Sequence, residues 1–564
     1  MKPEKKVTDL INQMDLDEKI GALLTLGFSG TMVRSHIYDQ IETYKCGGLR
    51  LSPQSRLFGS YVDPKSGKEI GNVVDRKGYR LNLKPPTVTL EQYRGILKEL
   101  QQTAMNRRLG IPLHFSFDQE GGSSADFWFN GVKFFPKPMG IRATGDPEYA
   151  YLIAKAVSRQ SRAVGFNWIH SPVLDVNVNP QNPEIYTRSY SNDPEVVAEY
   201  ALKSCQGFQE GGLIATGKHF PGRGDSAMDA HFGMPIIPVK KDVLLKRELL
   251  PYRVLIEHDL LPSIMIAHTV FPAIDEEHIA TVSKKVITGL LRDEMGFEGV
   301  ITTDSMTMGA VAGRYGVANA CAMALEAGAD LVLMKAESHL VADTVAKIKE
   351  FVVSGRIPMR ELDQKVERVL SLKYRYGLFQ RGMDWDETPS QAVNAPEVVE
   401  LSKTVAKKSI LLLQDDQQAL PLSPDDSLLL VEQVGDTPNT FDWHPGVMLK
   451  EVQKYHRKVD YMETHYTYDD LDKKDLMEAA KDHSVILLTS FYKRGHLANN
   501  EAIDQLIDTY PDKKIVVLTN TPYPISIPQK ARTLFLTLST GPDNIEAAVA
   551  ALFGKLKPAG QFPV

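Results

Sequence analysis

Residues 217–231, Gly-Lys-His-Phe-Pro-Gly-Arg-Gly-Asp-Ser-Ala-Met-Asp-Ala-His, put two histidines, two aspartates and two basic side chains into one short stretch. Pro221-Gly-Arg-Gly224 must turn, because proline fixes its own φ and glycine enters conformations closed to other residues. Past the turn, Asp229 and His231 are two apart, so an extended segment points both to one side. A carboxylate beside an imidazole orients the ring and favours its protonated form. From an unperturbed pKa of ~6.5, a modest rise makes a proton donor at neutral pH.

Two other chemistries fit the stretch less well. Gly212 to Lys218 spells G-x-x-x-x-G-K, but His219 follows instead of Ser or Thr, and Leu-Ile-Ala-Thr reads as a strand interior and not as a phosphate-cradling loop. His219, Asp225, Asp229 and His231 are possible metal ligands, the basis of a metal-dependent hydrolase reading. Their spacing matches no standard helical ligand pair, so no metal is assigned and no cofactor is implied.

A second candidate is Gly299-Val-Ile-Thr-Thr-Asp304, an apolar run that delivers a carboxylate at its end. Such a carboxylate attacks an electrophilic carbon if nearby cations keep it ionised; capping the following helix would account for the same residue type. Asp118-Gln-Glu-Gly-Gly122 ends another apolar run, and Asn182-Pro-Glu-Ile-Tyr-Thr-Arg-Ser-Tyr190 presents Arg188. Carboxylates that accept from hydroxyls, with Arg, Lys and His groups that donate to them, suit a polyhydroxylated ligand.

The elements that must position these groups are short apolar runs at 111–117, 166–174, 213–216, 263–267, 299–302 and 330–334. They alternate with helix-period segments such as 148–162 and 194–210. Asp118, Asp175, Lys218-His219, His268 and Asp304 each fall at or just after the end of a run. Only a closed ring of parallel strands brings so many strand ends to one mouth, so the fold class read here is α/β, a (β/α)8 TIM-like barrel. The barrel is expected over residues 1–376, interrupted by a Gly-, Pro-, Lys- and Asp-rich insert near 53–86 and closed by a helix over 359–376. A linker over 377–397 and an α/β/α sandwich over 398–564 follow, the latter with apolar runs at 427–431, 484–489, 514–519 and 533–537.

Composition narrows the function classes. The 564 residues carry 65 Lys and Arg against 71 Asp and Glu, a net charge of -6, which removes the electrostatic footprint of a general nucleic-acid binder. The three cysteines, 46, 205 and 321, form no CxxC pair, against a disulfide framework or a Cys-rich zinc site. No apolar run approaches the ~20 residues of a membrane span. No apolar segment follows the N-terminal basic residues, so a cytoplasmic location is expected.

Together the segments resemble glycoside hydrolase family 3, and within it the bacterial two-domain β-N-acetylglucosaminidases. The family's K-H-F-P-G-H-G-D-T-x-x-D-S-H loop is matched at Lys218–His231, and its nucleophile segment at Ile301-Thr-Thr-Asp304-Ser-Met-Thr-Met-Gly309. Asp118-Gln-Glu-Gly-Gly122, Ser171-Pro-Val-Leu-Asp-Val-Asn-Val-Asn-Pro180 and Ala267-His-Thr-Val-Phe-Pro-Ala-Ile-Asp275 match further pieces. The resemblance implies a retaining exo-glycosidase acting on terminal β-linked N-acetylglucosamine. Asp304 is the implied nucleophile and His231 the acid and base, supported by Asp229. Asp118, Arg188, Lys218 and His219 are the implied sugar-binding residues. An Asp-x-His in place of a second carboxylate departs from the usual glycosidase pair.

The chain departs from the pattern at three places. Arg223 replaces a His, Ala230 a Ser, and Asp126 stands where D-x-E-G-G-x-V-x-R has its Arg. That last exchange turns +1 into -1 beside the sugar-binding residues and keeps a β-glucosidase reading open. A phosphorylase reading also stays open, because a neutral His repels phosphate less than a carboxylate does.

Overall fold

The computed structural model describes residues 4–53, 61–62, 69–70, 88–122, 124–127, 130–230, 233–335, 340–381, 387–434 and 447–564. Eight parallel strands form the first sheet: β1 (Leu24–Ser29), β2 (Gly48–Ser52), β3 (His114–Phe117), β4 (Trp168–Ile169), β5 (Ile214–Phe220), β6 (Ser263–Ile266), β7 (Val300–Thr303) and β8 (Val332–Met334). Each pairs with its neighbour in chain order, and β8 returns to β1 through Leu24 opposite Val332. A bridge from Thr302 to Leu331 closes the ring between β7 and β8. At least one helix follows every strand, so the first unit is a (β/α)8 barrel.

The expected strands began at residue 111; β1 and β2 are additions. β1 follows the helix Leu16–Ala22 after a single residue, with no turn signal between them, and β2 carries Arg50 in an otherwise strand-like run. Both conceal the pattern that periodicity reads. The helices at Glu148–Val164, Pro194–Glu210 and Met359–Arg375 lie where their spacing puts them. Most of the expected insert at 53–86 lies outside the described residues; within it, Tyr61–Val62 pairs antiparallel with Glu69–Ile70.

The second sheet has six strands: β9 (Leu411–Asp415), β10 (Leu428–Val434), β11 (Val459–His465), β12 (Val485–Ser490), β13 (Lys514–Thr519) and β14 (Thr533–Leu536). Their order is β9-β14-β13-β12-β10-β11, all parallel except β9 against β14. Successive side chains of a strand face opposite sides, and the core divides accordingly. Leu428, Leu430, Val485, Leu487, Val516 and Leu518 pack on one face with the helix Pro542–Leu552. Leu429, Val431, Ile486, Leu488, Ile515 and Val517 pack on the other with helices Asp470–Ala480 and Asn500–Thr509. This is an α/β/α sandwich; β9 and β11 lie on its edges and were absent from the four expected runs.

Between the two units the chain is not a bare linker. The short helix Pro389–Val393 buries Ala392 and Val393, and Glu387 pairs with Arg159 on a barrel helix at 2.6 Å. The units also share a small apolar cluster of Met139, Ala143 and Tyr186 from the barrel with Leu411, Tyr492, Tyr523, Leu536 and Leu538 from the sandwich.

Candidate active site

The C-terminal ends of the barrel strands carry a dense set of paired charges. β3 ends at Phe117, and the next residue, Asp118, is held against Asp126 by a tight ribbon. Gln119–Gly121 pairs with Ser124–Ala125, so the Asp126 N–H donates to the Asp118 carbonyl at 2.8 Å. Gly121 and Gly122 permit the turn, with φ of 107° and 52°.

β5 is buried along all seven residues and delivers Lys218 and His219. Lys218 Nζ sits between Asp118 Oδ1 at 2.8 Å and Glu120 Oε1 at 2.5 Å. Arg188 takes Glu120 with two nitrogens, at 2.7 and 3.0 Å, and donates to His219 Nε2 at 3.3 Å. The other ring nitrogen must then carry the proton, and His219 Nδ1 donates to Asp175 at 2.7 Å. Burial and the nearby Arg223, Arg188 and Lys218 hold the His219 imidazole well below its ordinary pKa. Burial also pushes the Asp175 carboxyl up to about 6.

The carboxylates respond in the opposite sense. Burial alone would raise Asp118 and Glu120, but the surrounding cations prevail. Arg50, Lys218 and Lys335 hold Asp118 well below the usual carboxylate range, and Arg188 and Lys218 take Glu120 down to about 2. Both are fixed acceptors at neutral pH, which suits hydroxyl recognition.

Asp304 follows β7. One carboxylate oxygen accepts the Ser305 N–H at 2.7 Å and the other faces Arg223 Nη2 at 3.4 Å. The capping alternative does not hold: the following helix, Gly309–Tyr315, starts four residues on, with Met308 at its cap. Asp304 thus places a partly exposed carboxylate beside the Arg223 guanidinium, an arrangement compatible with a nucleophile. His268, also at a strand end, is buried behind it, spanning Thr281 Oγ1 at 2.7 Å and the Ser305 carbonyl at 3.0 Å.

The Gly-rich loop after β5 is held close to the barrel. Gly224 lies so near the chain after β4 that a Cβ would meet the Val176 carbonyl oxygen at 1.7 Å. Asn182 Nδ2 donates to the carbonyls of Arg223 and Gly224, at 2.8 and 3.1 Å. Of the four possible metal ligands, His219 turns to Asp175, Asp225 to Arg247 at 2.7 Å, and Asp229 to Arg494. His231 lies outside the described residues.

The structure therefore groups Asp118, Arg188, Lys218 and His219 in one connected network, with Asp304 joined to the loop through Arg223. The sequence reading passed over several members. Arg50, fully buried on β2, donates to both Asp118 and Asp126; an arginine inside an otherwise strand-like run was its signal. It meets the Asp126 departure directly, because the missing cation is supplied from the neighbouring strand. Glu184 pairs with Arg223 at 3.1 Å and Arg494 at 3.0 Å. Arg494, from the sandwich, had no local signal, since only the docking of two units brings it here.

Comparison with known proteins identifies the family. Residues 16–372 match the glycosyl hydrolase family 3 N-terminal domain. A beta-hexosaminidase A of Pseudoalteromonas piscicida is 30% identical over 294 residues, a stretch covering 49% of each chain, so the match spans about half of that relative. A beta-N-acetylglucosaminidase/beta-glucosidase of Cellulomonas fimi is 26% identical over 85% of this chain and 87% of its own. The solved family 3 beta-N-acetylglucosaminidase of Paenibacillus sp. str. FPU-7 superposes with a TM-score of 0.85 at 28% identity, covering 98% of both chains. With the catalytic-barrel match running through more than half of its residues, this chain belongs to glycosyl hydrolase family 3.

Proposed function

We propose that the protein is a retaining exo-glycosidase that removes terminal β-linked N-acetylglucosamine. Asp304 attacks the anomeric carbon as the bond to the aglycone oxygen breaks, and His231 gives that oxygen its proton. The product of this step is a covalent glycosyl-enzyme. In the second step His231 takes a proton from water, the water oxygen bonds to the anomeric carbon, and the Asp304 carboxylate departs. Asp229 supports His231 in both steps, and Asp118, Arg188, Lys218 and His219 hold the sugar hydroxyls.

The observation that carries this reading is the placement of Asp304. Its carboxylate stands 16% exposed at a barrel strand end, within 3.4 Å of the Arg223 guanidinium. The glycone preference is supported by the names of the relatives, several of them hexosaminidases. The Arg50–Asp126 pair, which rebuilds the region beside Asp118, favours β-glucoside cleavage as the second reading.

The test is side-by-side initial rates on aryl β-N-acetylglucosaminide and aryl β-glucoside, for wild type and Asp304→Asn. Faster cleavage of the acetamido sugar, abolished in the variant, is expected. A glucoside preference overturns the specificity, and an unimpaired variant overturns Asp304 as nucleophile. Sugar 1-phosphate formed only when phosphate is added would replace hydrolysis by phosphorolysis.

A further inference from the structure

In the sandwich the strand order reverses between β10 and β12. The segment Phe491–Arg494 leaves β12 at this point and is held rigidly. Gln433 Oε1 accepts the Phe491 N–H at 2.5 Å, and Asn520 grips the Tyr492 main chain with two bonds, at 2.9 and 3.0 Å. From this base the segment reaches the barrel. Tyr492 donates its hydroxyl to the Pro183 carbonyl at 2.8 Å and meets the Tyr186 ring edge-on at 5.0 Å. Arg494 closes Nε and Nη2 on the two carboxylate oxygens of Asp229.

The same guanidinium lies 3.0 Å from Glu184, and Glu184 in turn lies 3.1 Å from Arg223, which faces Asp304 at 3.4 Å. An alternating chain of charges, Asp229–Arg494–Glu184–Arg223–Asp304, thus runs across the mouth. Glu184 also accepts the Ala230 N–H at 3.2 Å, so it braces the residue between Asp229 and His231. A fork that takes both oxygens fixes the rotation of a carboxylate as a single cation does not.

We propose that Arg494 is a positioning residue: the sandwich completes the barrel's active site by fixing Asp229, and with it the main chain of Asp229 and Ala230, through this bidentate pair. The inference rests on reading Asp229 and His231 as the acid–base dyad. A substrate whose leaving phenol is acidic enough to depart unprotonated makes little use of that dyad in the first step, whereas a poor leaving group depends on it.

The experiment compares wild type, Arg494→Met and Arg494→Lys on phenyl and 2,4-dinitrophenyl β-glycosides, using whichever glycone the wild type cleaves. Hydrogen exchange across residues 226–230 is followed in parallel. Arg494→Met is expected to lower kcat/KM on the phenyl glycoside by about tenfold or more beyond its effect on the dinitrophenyl glycoside, within the usual range for losing a positioned acid. Arg494→Lys is expected to recover part of the loss, and exchange at 226–230 to quicken in Arg494→Met. Equal losses on the two substrates, no loss, or unchanged exchange would each overturn the proposal. Failure of the N-acetylglucosaminide reading shows instead in wild type, as a preference for another glycone or as no cleavage. The exchange arm decides the positioning role in either event.

Discussion

Arg50 on β2, whose guanidinium is fully buried, and the partly exposed Asp126 on the ribbon after β3 form an ion pair that Arg50 shares with Asp118. Asp126 also accepts the Asp118 N–H at 2.7 Å, so this residue, which stands where the family has an arginine, organises its neighbour and does not merely repel it. Removing the cation alone leaves two carboxylates side by side, with Asp118 still paired to Lys218. Breaking one partner of a buried pair costs ~3–5 kcal/mol, whereas replacing both is close to neutral. Arg50→Met is therefore expected to lower unfolding stability by an amount in that range and to raise KM. Combining it with Asp126→Asn should recover at least half of the stability loss. Denaturant unfolding of the three proteins checks this, and equal stability of single and double variants would contradict it.

The proposed covalent step makes its own prediction. If Asp304 is the nucleophile, Asp304→Gly removes the attacking oxygen and leaves space beside the anomeric carbon. Loss of a nucleophile costs about 10^4-fold or more in kcat. Azide, a small anion able to enter that space, is expected to restore turnover and to yield the α-glycosyl azide from a β-glycoside by direct displacement. Product stereochemistry by NMR decides the matter, and a β-azide would point to a different nucleophile.

How far the site was legible in the sequence depended on how local each signal was. Lys218, His219 and Asp304 sit immediately at strand ends, and there a burst of polar residues after an apolar run is readable. Glu184 lay inside the quoted Arg188 segment, yet its role arises from three arginines, 188, 223 and 494, that meet only in space. Arg494 sits far from the barrel in sequence, on a loop whose direction is set by sheet order. In the fold, β1 follows its helix directly and offers no punctuation that periodicity could read, whereas β4, with only two paired residues, still lies inside the expected run 166–174. The apolar runs of β10, β12 and β13 were plain because each is buried on both faces.

At the far end of the barrel, Lys373 is fully buried and donates to the carbonyls of Gly47 at 2.6 Å and Pro112 at 2.8 Å. Burial, aided by Arg107, takes its pKa down to about 7. Between pH 7 and the ordinary lysine range the unfolded chain holds this proton and the folded chain has released it, so this group's contribution to stability rises with pH across that window. Thermal melts of wild type and Lys373→Met at a series of pH values isolate the effect. The Tm of wild type minus that of the variant is expected to increase from pH 7 to 9.5, and a flat difference would refute the assignment.

The Gly-rich loop should tolerate no side chain at its point of closest approach. A Cβ on Gly224 would overlap the Val176 carbonyl, a main-chain atom that no rotamer change can move aside. Gly224→Ala must then displace the loop that carries Arg223 and leads to Asp229. Activity is expected to fall at least tenfold, because misplacing reacting groups by about 1 Å can cost ~100-fold. Gly95→Ala, where the added methyl meets nothing within 4 Å, serves as the control and should be silent. Parallel kinetics and melts of the two variants test the contrast.

Arg223 separates rate from stability. Its guanidinium is 1% exposed and faces Glu184 more closely than Asp304, while its own N–H donates to Asp175 at 2.7 Å. Replacing the side chain leaves that backbone bond intact, and Glu184 keeps Arg494 and Arg188 as partners. Arg223→Met is therefore expected to shift Tm by no more than about 3 °C, roughly the effect of 1 kcal/mol in a domain of this size. Charge placed where the transition state develops it is worth more in rate than in folding. The expected fall in kcat is about 100-fold, with Arg223→Lys intermediate because it keeps the charge without the fork. If Tm falls steeply while kcat holds, Arg223 serves the loop and not the nucleophile.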